Sequence, residues 1–401
     1  MKRGYETLIN DHFVQHDQMV FIMGPRQVGK TTLAMAIENK KNIFYLNWDD
    51  LEDRDLLLAG TQSLGTHLSL DKARETLPVI IFDEIHKYSK WKQTIKGFYD
   101  RYKTQCRIIV TGSARLNVFK KGGDSLMGRY FYYRLHPLSV AELLKQTSIE
   151  TTINPPLKIS DNAYQALLKW GGFPEPFLKK NQRFFTRWNR LREQQLLQED
   201  IRELTRIQEL GQMEMLAFMI KSQVGQLTSY SSFSKKIRVS VDTIRRWIPV
   251  LESLYYCFSI RPWTKNVTRS LLKEPKYYLW DWSQCQSEGA RNENFIASHL
   301  LKAVHFWNDS GTGNYALYFV RDKEKREVDF LVTKENKPWV LVEVKTSDET
   351  QISKSLSYFK KQLNVPHAFQ VVINADYVNK DVFEYKETVI VPARTLLSQL
   401  V

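Results

Sequence analysis

The sequence predicts an α/β protein of two or three folded units whose middle portion is helical, and three observations predict it. At 401 residues the chain exceeds one ordinary domain of about 100–200 residues, and its 43% hydrophobic and 25% charged residues suit a globular protein without large disordered tracts. Short apolar runs alternate with longer amphipathic segments from the start of the chain to about Leu144. That is the rhythm of a parallel sheet with helical crossovers. The alternation returns after Leu254, following a helical, basic stretch.

Taken in order, Met19–Met23, 42–47, Val79–Asp83 and 107–111 read as buried strands. Between 161 and 254 the reading is helical, because 184–203 and 212–224 carry apolar residues at intervals of three and four amid charge. Strands are expected again at 277–280, 316–321, 328–333, 340–344 and 368–373, alternating with helices at 292–304 and 353–363. A linker is expected at 149–160, around Pro155-Pro156, so the domains are set at 1–150, 151–270 and 271–401. Cys106, Cys257 and Cys285 are scattered and odd in number, which supplies neither a disulfide framework nor a structural zinc site. No apolar run approaches the roughly 18–20 residues of a membrane span. A cytoplasmic protein with no membrane partner is expected.

The net charge is +14, of which +5 falls in residues 1–150, +9 in 151–270 and none in 271–401. A charge excess confined to one segment points to a local anion-binding surface, and nucleic acid is the commonest large anion.

Gly24-Pro25-Arg26-Gln27-Val28-Gly29-Lys30-Thr31-Thr32 fits G-x4-G-K-[ST] between an apolar strand and a helix expected at 32–38. Such a loop turns backbone N–H groups toward phosphate oxygens; Lys30 adds a mobile charge and Thr31 a hydroxyl for Mg²⁺. ATP and Mg²⁺ are therefore the expected cofactors. The strand Val79–Asp83 delivers Asp83 to the metal and Glu84 to the water that attacks the γ-phosphate. The next strand ends in Thr111-Gly112-Ser113, and Thr111, with Ser113 second, is expected to touch the γ-phosphate or its water.

With Gly128-Arg129 and Leu135-His136-Pro137-Leu138-Ser139, these residues resemble the AAA+ ATPases of the AAA_14 group over about 15–145. The resemblance implies an oligomer, a hexamer being one size it allows, in which an arginine from a neighbouring subunit completes the site. Arg129 is the candidate finger and Arg115 the runner-up.

In the basic middle, 213–224, 230–236 and 241–254 read as three helices, the last behind the potential cap Ser240 and with Pro249 placed to kink or shorten it, and an aromatic strand at 255–260 comes after them. This order suggests a winged helix whose third helix reads DNA. Lys235, Lys236, Arg238, Thr243, Arg245 and Arg246 are its expected DNA contacts, although many winged helices contact only proteins.

Near the C-terminus, Glu327-Val328-Asp329-Phe330-Leu331 and Val342-Glu343-Val344-Lys345 read as a hairpin that presents Asp329 against Glu343 and Lys345. Asp329 and Glu343 are candidate ligands for Mg²⁺ or Mn²⁺, Lys345 a candidate to orient water, and Glu293 a further ligand. The set resembles the PD-(D/E)XK nuclease superfamily, a restriction-endonuclease-like α/β fold, with Val328 where that pattern often has Pro. The whole order resembles the prokaryotic ATP-binding proteins that carry a DUF4143 domain. The resemblance supports this architecture; the combined reading of the chain is an ATPase that couples nucleotide-driven change in an oligomer to DNA engagement, with a metal-dependent nuclease-like domain expected to cut or bind branched or free-ended DNA. The alternative is an ATP-dependent interaction or signalling switch whose nuclease-like domain is inactive.

Overall fold

A computed structural model describes residues 3–37, 42–112, 126–145, 150–204, 209–264, 273–347 and 351–401. The chain divides into two compact units, Met1–His136 and Pro137–Val401.

The first unit contains α1 (Tyr5–Gln15), β1 (Met19–Met23), α2 (Lys30–Ala36), β2 (Ile43–Asn47), α3 (Leu51–Leu58), α4 (Thr61–His67), β3 (Val79–Asp83), α5 (Trp91–Tyr102), β4 (Arg107–Gly112) and β5 (Tyr130–Arg134). All five strands are parallel, in the order β2-β3-β4-β1-β5. The sheet is buried because its strands are nearly continuous apolar runs: Val20, Phe21, Ile22, Ile80, Ile81, Ile109 and Val110 are all sealed from water. Helix α5 covers it with Trp91, Ile95, Phe98, Tyr99 and Tyr102, an apolar stripe at helical spacing. This order sets β4 between the strand that feeds the P-loop and the strand that ends in Asp83, so three strand ends open on one site.

The second unit contains α6 (Val140–Leu143), α7 (Asp161–Trp170), α8 (Pro174–Lys179), α9 (Gln182–Gln194), a π-helical turn (Gln195–Asp200), α10 (Ile201–Leu204), α11 (Leu210–Ser222), α12 (Tyr230–Ile237), α13 (Val241–Ser253), β6 (Cys257–Pro262), β7 (Lys276–Leu279), α14 (Glu288–Asp309), β8 (Tyr315–Arg321), β9 (Glu327–Lys334), β10 (Lys337–Lys345), α15 (Lys354–Leu363), β11 (His367–Val372), β12 (Thr388–Pro392) and α16 (Ala393–Ser398). Its strands form one sheet in the order β12-β11-β10-β9-β8-β6-β7. Strands β8, β9 and β10 run antiparallel in sequence, while β11 joins β10 in parallel and β12 follows it. Leu331 and Leu341 pair across β9 and β10 and pack with Leu356 and Phe359 of α15.

Three details bear on the sequence expectation. Helix α13 is continuous from Val241 to Ser253, as the 241–254 reading has it, and it carries Pro249 on its exposed face without being shortened there. Residues 151–160 form neither helix nor strand, yet they are pinned: Asn154 donates to the carbonyl of Leu400 at 2.5 Å, and Gln399 donates back to the carbonyl of Asn154 at 3.1 Å. Strands β6 and β7, on either side of the expected boundary at 270, pair with each other, and β6 joins the sheet of the C-terminal strands. Among the described residues, no helix is long and apolar enough to cross a membrane.

Candidate functional site

The P-loop leaves β1 and enters α2 through residues forced into unusual backbone. Gly29 has φ +97°, and a Cβ on Gly24 would stand 2.3 Å from the carbonyl oxygen of Leu135, so only glycine fits there. Gln27, at φ 60°, also takes the left-handed region. Pro25 and Val28 are buried, while Arg26, Gln27 and Thr32 face solvent at the loop and the start of α2. Lys30 is buried, and its Nζ donates to the carbonyls of Gly24 at 3.1 Å and Pro25 at 2.8 Å. Burial holds this ammonium well below the usual lysine range, to about 8, against the pull of Glu84 and Asp83.

Asp83 is where the strand ends meet. Its Oδ2 accepts from Thr31 Oγ1 at 2.8 Å and from the Tyr45 hydroxyl at 2.7 Å, and its Oδ1 accepts from Thr111 Oγ1. The hydroxyl of Thr31 and the carboxylate of Asp83 thus converge as an all-oxygen donor pair, which suits Mg²⁺. Thr111 is brought to the site, and what it touches there is Asp83. Tyr45 is a site residue that the sequence reading missed, since its reach to Asp83 depends on β2 lying beside β3. Glu84 follows at φ 53°, outside the strand, with its Oε2 3.4 Å from His86 Nε2. Burial raises its carboxyl above the ordinary glutamate value, making it a stronger base when ionised.

Arg129 binds Asp100 through two nitrogens, Nε to Oδ1 at 2.8 Å and Nη2 to Oδ2 at 3.1 Å. Ser113 and Arg115 lie outside the described residues.

In the second unit, the β9–β10 register pairs Phe330 with Val342 and, carried one step on, sets Asp329 opposite Glu343. Asp329 Oδ2 accepts from the Val344 amide at 2.8 Å, and Lys345 Nζ stands 3.6 Å from Glu343 Oε1. Glu293, on α14, accepts from the Tyr278 hydroxyl at 2.7 Å. Between these acids comes Lys276 of β7, buried, 2.6 Å from Glu327 and 3.5 Å from Glu293. Burial opposes its charge, but Glu293, Asp329 and Glu327 together outweigh burial and raise its pKa. Lys276, Tyr278 and Glu327 are not among the site residues read from the sequence, because two of them arrive from β7, far before Asp329 in the chain. Burial and then the charge of Asp329 push Glu293 up to about 7 and Glu343 up to about 8, and burial raises Asp329 too. Glu343 Oε2 is buried and, among the described residues, accepts no hydrogen bond. Among the described residues, no group of three or more His, Cys, Asp or Glu side chains is disposed to hold a metal ion, so no step through a metal follows for this cluster.

A carboxyl whose pKa is raised by folding costs stability once pH exceeds its unfolded value, here 4.5, and the cost grows until the folded value, about 8, is passed. Glu343→Gln is therefore expected to stabilise the protein at pH 8 by about 1 kcal/mol or more, with the gain vanishing near pH 4. Urea unfolding at the two pH values checks this.

In the basic segment, Lys235, Lys236 and Arg238 are exposed at the end of α12, and Arg245 and Arg246 are exposed on α13, with Thr243 half-buried beside them. Arg245 pairs with Asp242 at 3.2 Å, and Arg246 donates to Thr243 Oγ1 at 3.4 Å. Ser240 caps α13 through the Thr243 amide at 3.0 Å.

A five-stranded parallel sheet, a P-loop at the end of one strand and an Asp-Glu pair at the end of another define the first unit as a P-loop ATPase fold. More particularly, residues 16–144 match the family model of an AAA domain. Residues 161–287 match a domain of unknown function, DUF8612, and residues 288–396 another, DUF4143. An uncharacterized protein of Mycobacterium tuberculosis is 22% identical over 351 residues, covering 84% of this chain and 72% of the relative. One of Haemophilus influenzae is 22% identical over 282 residues, covering 67% and 68%. Among solved structures, a Walker-type ATPase of Pyrococcus abyssi aligns with TM-score 0.43 and 14% identity over 70% of this chain and 93% of its own.

Proposed function

We propose that the protein is a Mg²⁺-dependent ATPase that acts on DNA, coupling ATP hydrolysis to DNA binding or remodelling. The convergence of Thr31, Thr111 and Tyr45 on Asp83, beside Lys30 and Glu84, carries the ATPase part. When bound, Mg²⁺ would offset charge on the β- and γ-phosphates, held by Thr31 and Asp83. Lys30 leaves the carbonyls of Gly24 and Pro25 for the phosphates, and Glu84 accepts a proton from the attacking water. Arg129 remains the candidate finger in an oligomer: its pair with Asp100 lies at the surface, where water screens such pairs, so releasing it costs little.

The DNA part rests on α11, α12 and α13 followed by the hairpin of β6 and β7. Segment 225–228 runs along the other edge of β7, with the Gly225 amide donating to Tyr277 at 3.0 Å and the Thr228 amide to Pro275 at 2.9 Å. These features support the winged-helix reading, in which Lys235, Lys236, Arg238, Thr243, Arg245 and Arg246 are the DNA contacts. Helix α14, three antiparallel strands, α15 and a parallel β11 support a nuclease-like fold for the C-terminal part, with Lys276 as the cation among its acids. A cytoplasmic location goes with this reading.

Replacing Lys235, Lys236, Arg245 and Arg246 by Ala is expected to weaken duplex binding and flatten its salt dependence, by roughly one unit of slope for each phosphate no longer neutralised, with ATP affinity unchanged. Fluorescence anisotropy across a salt series tests this. The exposed Met215 and Phe218 on α11 favour a second reading, an ATP-dependent protein-interaction switch. In that case the wild type shows no salt-dependent duplex binding at all.

A further inference from the structure

Resting on the ATPase reading, we infer that Arg3 is a positioning residue of the nucleotide site, holding the Val28–Gly29 peptide so that the Gly29 N–H faces the phosphates. Arg3 lies far before the glycine-lysine pair in sequence, and no motif includes it. In the fold its side chain is buried, 6% exposed, directly behind the P-loop. Nη1 donates to the carbonyl of Val28 at 2.8 Å, and Nη2 donates to the carbonyl of His136 at 2.5 Å.

A trans peptide is planar, so its C=O and N–H point in opposite directions. Fixing the Val28 carbonyl on the Arg3 side therefore aims the amide of Gly29 away from Arg3. In a phosphate-binding loop that direction is the concave side, where successive N–H groups receive the anion. Without a donor behind the loop, this carbonyl would turn to find one, and the amide would turn with it. Gly29 makes that rotation easy, because it lacks a Cβ to hinder the flip. The guanidinium also sets a positive charge behind the loop, which favours a polyanion in front.

Arg3 is itself held in place. Its amide donates to Glu6 Oε1 at 3.0 Å, and its carbonyl accepts from the Glu6 amide at 3.0 Å, a reciprocal pair at the start of α1. The second carbonyl, of His136, lies just past the segment that packs on Gly24 through Leu135. One fork of donors thus ties the P-loop to the chain leaving β5, a geometry that suits a planar guanidinium and that a single ammonium cannot fully reproduce.

The test is equilibrium binding of ATP and ADP, with steady-state turnover, for wild type, Arg3→Gln and Arg3→Lys, at a temperature where circular dichroism shows each protein folded. Arg3→Gln is expected to raise Kd for both nucleotides and KM for ATP about tenfold or more, with kcat at saturating ATP within about threefold of wild type. Arg3→Lys should fall between the two. A purely structural role would lower the melting temperature and leave Kd unchanged, and that result overturns the inference. If Arg3→Gln does not fold, Arg3→Lys decides: wild-type Kd in that variant overturns the inference, and an intermediate Kd supports it. Failure of the wild type to bind ATP would instead overturn the ATPase reading on which the inference rests.

Discussion

Lys30→Ala is expected to abolish measurable ATP binding, a loss of about a hundredfold or more in affinity, on the order of a buried charge-assisted contact. Lys30 is the lysine that the loop itself presents, and its ammonium already rests on the carbonyls of Gly24 and Pro25 at the mouth of α2. Its burial gives the binding a pH dependence of definite sign. In the nucleotide-free protein Lys30 loses its proton as pH rises through about 8. Bound phosphates favour the ammonium, so above that pH binding must take up a proton, and ATP affinity should fall by up to about tenfold per pH unit. Below pH 8 the Lys30 contribution is level. Calorimetry in two buffers of different ionisation enthalpy, at about pH 7 and pH 9, reads the proton uptake directly; equal uptake at both pH values would remove Lys30 from this role.

Glu84→Gln is expected to bind ATP with near wild-type affinity and hydrolyse it at least ~100-fold more slowly. Position matters here as much as chemistry. Asp83 is occupied by three hydroxyl donors at the strand end, whereas Glu84, turned out by its left-handed backbone, is the adjacent carboxylate not committed to them. Its raised pKa makes it the better proton acceptor of a water. Single-turnover hydrolysis separates the outcomes, since a normal rate in Glu84→Gln would take the residue out of the chemistry.

Where the sequence was readable, the reason is that chemistry and spacing coincide on one short segment. The P-loop needs glycine at two positions and lysine next to the second, and β1 and α2 bracket it as expected; Asp83 ends, and Glu84 follows, a short apolar run of the length and composition of a buried strand. The hairpin carrying Asp329 and Glu343 was readable for the same reason, because period-two alternation fixes which residues share a face.

What was not readable depends on elements brought together from afar. Tyr45 reaches Asp83 only because β2 and β3 are neighbours in the sheet, which strand patterning does not state. Lys276 looks like one more cation in a polar stretch, and its place among Glu293, Glu327 and Asp329 follows from the pairing of β6 with β8. Arg3 looks like a charge near the chain start.

Whether hydrolysis is coupled to DNA is decided by ATP turnover of the wild type, followed against increasing duplex DNA at low and at moderate salt, with Mg²⁺ present or chelated. Mg²⁺-dependent turnover is expected to change with DNA concentration, and the DNA response to weaken steeply as salt rises. Turnover that stays the same at every DNA concentration, in a protein that binds no duplex at low salt, would contradict the coupling.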